Sequence, residues 1–257
     1  MKSRSKSLRT RAESGCPERD CASLPASAAV LFGLNADERD RFAVLAARYA
    51  RLAAYLGDTG FADLVRALTR THPEMAGDEL AGELPLFLQM AEPYRRFAEL
   101  AEFAVLEQAI EGAFQAPCSS VVRMEELAAL APETFAYAVL AIQKPLTWLK
   151  FRTNVTSLWA SMRCGVTPPK PERLAEPVDV IVWRQARAAR FRILGAEEAA
   201  VLKQASQGVP FGALCEMMME GGDAESAATR AAGYLRGWVE AELVCAVRIA
   251  APAAEAK

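Results

Sequence analysis

"RFRILGAEEAAVLKQASQGVPF" (190–211) changes its period midway, and that change decides the fold class. In Arg190–Leu194, Phe191 and Ile193 alternate with Arg190 and Arg192, the two-residue period of a half-buried strand. After Gly195 the spacing of Ala199, Ala200, Leu202 and Ala205 becomes helical, and Gly208 is placed to end that helix. A single glycine separates strand from helix.

Working outward, "VDVIVWR" (178–184) predicts a second strand, and the short link "QARAA" allows a hairpin with Arg190–Leu194. Downstream, helices are expected over about Ala196–Gln207, Pro210–Glu220 and Ala224–Glu242, and "VCAVRIA" (244–250) closes as a strand. The order β-β-α-α-α-β over 178–250 is that of a small winged-helix-like module. Upstream, "GVTPPKPERLAEP" (165–177) holds four prolines, too many for a helix interior or a central strand. It predicts a Pro-rich linker between that module and a helical domain over 29–164.

Within the helical part, Asn35 is an N-cap, followed by Asp37 and Glu38 in the first turn. An apolar stripe from Phe42 through Leu56 stops at Gly57, and a second helix is expected from about Gly60 to Thr71. Pro93 suits the first turn of a long helix, Pro93–Phe114. Shorter helices are expected at Met124–Leu130 and Val155–Arg163, the latter capped by Asn154 and ended by Gly165. Around Ala136–Phe151 the pattern is irregular, with Pro145 interrupting it. The fold class is α+β, mostly α. Residues 1–28, with six basic and three acidic side chains in the first twenty, and 251–257 read as disordered tails, the first with a weak basic bias.

The 257 residues are 52% apolar, with 30 basic and 32 acidic side chains and a net charge of −2. Such a balance argues against a dedicated nucleic-acid binder. No apolar run is long enough to span a membrane, and no signal-peptide layout is present, so a cytoplasmic protein is expected. Cys16, Cys21, Cys118, Cys164, Cys215 and Cys245 lack the paired spacing of a zinc site, and reduced thiols fit that compartment.

Catalytic chemistry finds few residues to work with. Glu99, Glu102, Glu107 and Glu111 lie along one helix, but a ferritin-like iron site needs Glu-x-x-His motifs and the chain has one histidine, His72. Those glutamates read as an exposed face, with Glu107 a candidate for burial against an arginine or a partner. His72 reads as a helix end, where imidazole bonds the last carbonyls. Phosphate loops, nucleophile elbows and nucleotide fingerprints are absent. No catalytic residue, metal ligand or cofactor is expected on this chain.

Two resemblances bear on function. The C-terminal module resembles the precursor-peptide recognition elements of ribosomal peptide biosynthesis, typified by the pyrroloquinoline quinone chaperone. There a strand leads to a motif matched here by Ala199–Leu202 and Ala205–Gly208, and Leu235 and Leu243–Val244 match its later part. The second resemblance covers residues 30–248. It rests on an ordered series: "LAAYLGDTGFADLVRALTRTHP" (52–73), "ELPLFLQ" (83–89), "YRRFAELAEFAVLEQAIEGAF" (94–114), "LAALAPE" (127–133), "SLWAS" (157–161) and the run from "VDVIVWR" to "KQASQG" (178–208). In these the chain is similar to the HvfC/BufC-like family, whose N-terminal part carries the label of a DNA-binding domain. Many members have His-Pro where this chain has Lys144-Pro145, so no role of that histidine carries over.

Members similar to the methanobactin partner protein, and to the partner subunit of the 3-thiaglutamate pathway, form heterodimers with a TIM-barrel protein holding a multinuclear non-haem iron centre. The pair oxidatively modifies a cysteine of a ribosomal precursor peptide. The resemblance thus implies a non-catalytic subunit whose helical domain anchors the barrel and whose C-terminal module captures the peptide, with iron on the partner. An extended peptide adds to an open strand edge by main-chain hydrogen bonds. Phe191, Ile193, Tyr234 and Trp238 are candidate apolar walls or simply core. Arg190, Arg192 and Arg230 are candidates for pairing with acidic leader residues or for a solvated surface.

A winged-helix DNA-binding regulatory protein is the alternative. Its support is the arginine group Arg184, Arg187, Arg190 and Arg192, whereas "PFGALCEMMMEGG" has no basic residue. The three methionines of "CEMMME" suit core filling or a partner surface; adjacent on a helix, they point in different directions.

Overall fold

The computed structural model describes residues 33–117, 120–219 and 224–250. The terminal tails, Cys16, Cys21 and Cys118 lie outside those residues. The chain is α+β and mostly helical, in agreement with the expected class.

Helix α1 (Ala36–Arg48) starts in a capping box: the Asn35 side chain accepts from the Glu38 N–H, and Glu38 accepts from the Asn35 N–H. The apolar stripe through Leu56 does not belong to one helix. It breaks at Tyr49 (φ −119°, ψ 47°), where α2 (Ala50–Thr71) begins, and Gly57 (φ 70°, ψ 166°) kinks α2 where the sequence places a break. His72 ends α2 through its backbone N–H, bonded to the Leu68 carbonyl.

Helix α3 (Gly77–Met90) carries Pro85 in its interior. Proline has no N–H to give the Ala81 carbonyl, and the Tyr49 hydroxyl bonds that carbonyl instead, at 2.5 Å. Burial pushes the Tyr49 hydroxyl up to about 12. The break after α1 and the proline inside α3 are therefore one joint. The long helix expected from Pro93 is shorter: Glu92–Pro93 is cis, Tyr94–Arg96 form a 3-10 turn, and α4 runs Ala98–Gln115. Short helices α5 (Met124–Ala128) and α6 (Pro132–Phe135) follow.

The irregular stretch of the sequence holds two strands, β1 (Ala138–Ile142) and β2 (Thr147–Thr153). Next comes α7 (Val155–Cys164), ended by Gly165 in the left-handed region (φ 65°). Asn154 stands at its N-cap position, but its side chain bonds the Lys170 carbonyl and the Glu172 N–H rather than the helix. Strand β3 (Arg173–Gln185) takes in the end of the Pro-rich stretch. Pro177 is tolerated because the β2–β3 register is irregular between Arg173 and Val178.

The predicted hairpin is present: β3 turns through Ala186 and Arg187 into β4 (Ala188–Leu194). Ala186 takes φ 51°, the left-handed conformation that tight hairpin turns require. Helices α8 (Ala196–Ser206), α9 (Phe211–Met219) and α10 (Ala224–Glu240) and strand β5 (Val244–Ile249) complete the expected order.

The closing strand does not return to the hairpin. β5 pairs antiparallel with β1, while the other sheet has the order β2-β3-β4. Both sheets thus join strands from opposite sides of the Pro-rich stretch. β3 reads as a continuous apolar run because both its faces are covered. Val180 and Val182 belong to the core with α1–α4 and α7, and Ile181 and Trp183 to the core with β1, β5 and α8–α10. The sheet is the wall between two hydrophobic cores.

Among the described residues, no helix is long and apolar enough to cross a membrane.

Candidate functional site

β4 is an end strand of its sheet, and no strand pairs with its outer side among the described residues. The two-residue turn makes Gln185–Ala188 the closing hydrogen-bonded pair of the hairpin. Pairing alternates from there, so Trp183–Arg190, Ile181–Arg192 and Asp179–Leu194 are bonded pairs. The backbone N–H and C=O of Ala189, Phe191 and Ile193 consequently aim outward, away from β3. That edge offers donors and acceptors spaced for another extended chain.

The two faces of β4 differ. Phe191, opposite Val182, lies on the side of α4 and packs edge-on against Trp159 of α7, with ring centroids 5.2 Å apart. Ile193 shares that face and is 43% exposed. Arg192, opposite Ile181, lies on the side of α8 and α10. Arg190 is half-buried opposite Trp183.

A pair of carboxylates organises the second face. Glu197 and Glu198 occupy the first turn of α8, where the helix dipole favours negative charge. Glu198 accepts two bonds from the Arg192 guanidinium, at 3.2 and 2.5 Å, and a third from the Trp238 indole at 3.0 Å. Glu197 accepts from Arg230 at 3.1 Å and from the Tyr234 hydroxyl at 2.7 Å. Arg230 also bonds the Met218 carbonyl and Ser226. Burial and the bond to Glu197 push the Tyr234 hydroxyl up to about 12.

Four of the seven sequence candidates, Arg192, Arg230, Tyr234 and Trp238, are thus brought together by two glutamates. Trp238 is wholly buried, the core position left open by the sequence. Phe191 and Ile193 are on the other face. The signal for the glutamates was present: "GAEE" directly follows the arginine-bearing strand, and acidic residues in a first helical turn are ready partners for basic groups on the strand before it. The arginine series is similarly engaged at Arg184, which bonds the Phe114 and Ala116 carbonyls at the end of α4.

The glutamates of α4 are structural rather than a uniformly exposed face. Glu102 accepts from the Arg152 and Thr153 N–H groups and from the Thr153 hydroxyl, fixing α4 to β2. Glu107 is 5% exposed and accepts from the Arg51 and Leu52 N–H groups at the start of α2. Burial pushes its carboxyl up to about 7, against the pull of those two bonds and of Arg51.

No group of three or more His, Cys, Asp or Glu side chains able to hold a metal ion occurs among the described residues. Met218 is buried, whereas Met217 and Met219 are about two-fifths exposed, at 41% and 39%. No family model and no curated protein matches the chain.

Proposed function

We propose that this chain is a non-catalytic, peptide-binding partner subunit. It takes an extended, ribosomally made precursor peptide as an added strand on β4 and presents a cysteine of that peptide to a TIM-barrel oxygenase with a multinuclear non-haem iron centre. The two proteins act as a cytoplasmic heterodimer, and the iron and the oxidation belong to the barrel. This chain binds and orients the peptide.

The observation that carries the reading is the outer edge of β4, which no strand among the described residues pairs with, and the outward direction of the Ala189, Phe191 and Ile193 backbone. Main-chain bonds to that edge supply affinity, and the side chains flanking it select the peptide. A second protein surface is supported by the helical part. Leu86 and Met90, one turn apart on α3, and Phe97 just before α4 are 56%, 70% and 50% exposed. Large apolar side chains left in water at that density suit a protein interface.

The test is co-expression of the tagged chain with its neighbouring genes, followed by mass and iron analysis of what copurifies. The expected result is a stoichiometric barrel-sized partner carrying iron, none on the isolated chain, and saturable binding of the peptide encoded alongside. A lone chain that ignores the peptide and retards duplex DNA at moderate salt overturns the proposal in favour of a winged-helix regulator.

A further inference from the structure

Trp159, itself 5% exposed, is in edge contact with Phe191 of β4, the end strand of its sheet. Two guanidinium groups lie over its ring: the central carbons of Arg51, from α2, and Arg163, from α7, are 5.3 and 5.4 Å from the ring centroid. Unlike Arg192 and Arg230, neither is paired with a carboxylate among the described residues. Both side chains are half-buried. The Glu107 carboxylate accepts from the backbone N–H groups of Arg51 and Leu52 and attracts the Arg51 charge without an ion pair to its guanidinium.

Among the described residues, the Trp159 indole N–H and the Arg51 Nε are buried without a hydrogen-bond partner. Unsatisfied buried donors and half-buried cations without an ion pair each cost stability, and an anion placed beside them relieves both. A guanidinium over an aromatic ring keeps its in-plane N–H fork free, the geometry that grips a carboxylate through two bonds.

We propose that Arg51 and Arg163, flanking Trp159, form a carboxylate-binding subsite that selects an acidic side chain of the strand added at β4. This deepens the peptide-docking reading and rests on it. The subsite lies on the Phe191 face of β4, so it takes an Asp or Glu whose side chain points to that face of the extended sheet. Residues two apart on the peptide share that face, which makes an acidic residue at one register position the recognition feature.

The test uses the full chain and two capped heptapeptides, Thr-Val-Glu-Val-Glu-Val-Thr and its counterpart with Gln for Glu, titrated at low salt. The Glu peptide is expected to bind about tenfold tighter, the value of one charge-assisted contact. Arg51→Gln and Arg163→Gln each reduce that ratio toward one and leave the affinity for the Gln peptide unchanged. A ratio that neither substitution moves overturns the subsite and leaves docking at β4 standing.

A parallel titration with glutarate, followed at the Trp159 indole N–H resonance, separates the two ideas. Trp159→Phe assigns that signal. A saturable shift that is lost in Arg51→Gln, alongside peptides that fail to bind, supports the anion subsite and removes the strand edge. No shift with glutarate and no preference for the Glu peptide removes the subsite.

Discussion

Glu198 holds the Arg192 guanidinium by two hydrogen bonds, 3.2 and 2.5 Å long, across the turn from β4 to α8. The same carboxylate takes the Trp238 indole, so one side chain ties the edge strand to α8 and to the buried face of α10. Glu198 is 8% exposed. Removing it leaves two donors facing a hole.

Glu198→Ala is therefore expected to destabilise the fold by on the order of 2 kcal/mol. This is below the cost of breaking a fully buried pair, because the Arg192 side chain is still about one-third exposed, at 32%. Arg192→Met in the same background should recover part of the loss, since the orphaned cation goes with it. Urea unfolding of the two single variants and the double variant measures the coupling. Strict additivity would mean that the pair contributes nothing.

The joint between Tyr49 and Pro85 makes a sharper prediction. Tyr49→Phe leaves the buried Ala81 carbonyl without either its helical donor or its hydroxyl, at a cost of about 1–3 kcal/mol. Pro85→Ala restores the helical N–H and is expected to shrink that penalty while costing little alone. Calorimetry should show Tm falling by several degrees in Tyr49→Phe and recovering in the double variant. An undiminished penalty in the Pro85→Ala background would disconnect the two residues.

The parts of this architecture that were legible in the sequence are those with local signals. Val178–Arg184, Arg190–Leu194 and the three helices after them announce themselves by period, and Gly208 (φ 86°) and Gly165 end helices as their positions imply. β1 gives no such signal. It is five residues long, it stands next to Gln143-Lys144-Pro145, and its pairing partner β5 is a hundred residues downstream, so only tertiary contact makes it a strand. The stripe from Phe42 to Leu56 shows the same limit from the other side. A kink at Tyr49 barely disturbs apolar spacing, and the Ala81 carbonyl that its hydroxyl bonds lies in another helix. At the candidate site the arginines were visible, but their carboxylate partners, six and 33 residues away in sequence, depended on how α8 and α10 turn back toward β4.

Glu107 sets a pH dependence. Its carboxyl goes from an ordinary value of 4.5 to about 7 on burial. The folded chain then binds the proton more tightly than the unfolded chain, so this group's contribution is fully present below about pH 4.5. It is lost as pH rises to about 7, at roughly 1.4 kcal/mol per unit, or on the order of 3 kcal/mol in all. Glu107→Gln is expected to flatten the fall of stability across that window. Denaturant unfolding at closely spaced pH values gives the two slopes, and parallel curves would show that Glu107 does not titrate there.

Ile193→Pro tests the edge itself. The Ile193 N–H points away from β3, so proline removes one outward donor without breaking a bond of the hairpin. Proline on an edge strand is a natural block to strand addition. The variant is expected to keep its circular dichroism spectrum and to lose at least about tenfold in affinity for the precursor peptide, the value of about 1.4 kcal/mol of main-chain bonding. Arg192→Pro, one residue earlier, removes an inward N–H and should destabilise the hairpin instead. A peptide that binds Ile193→Pro as well as the parent protein is not docking on β4.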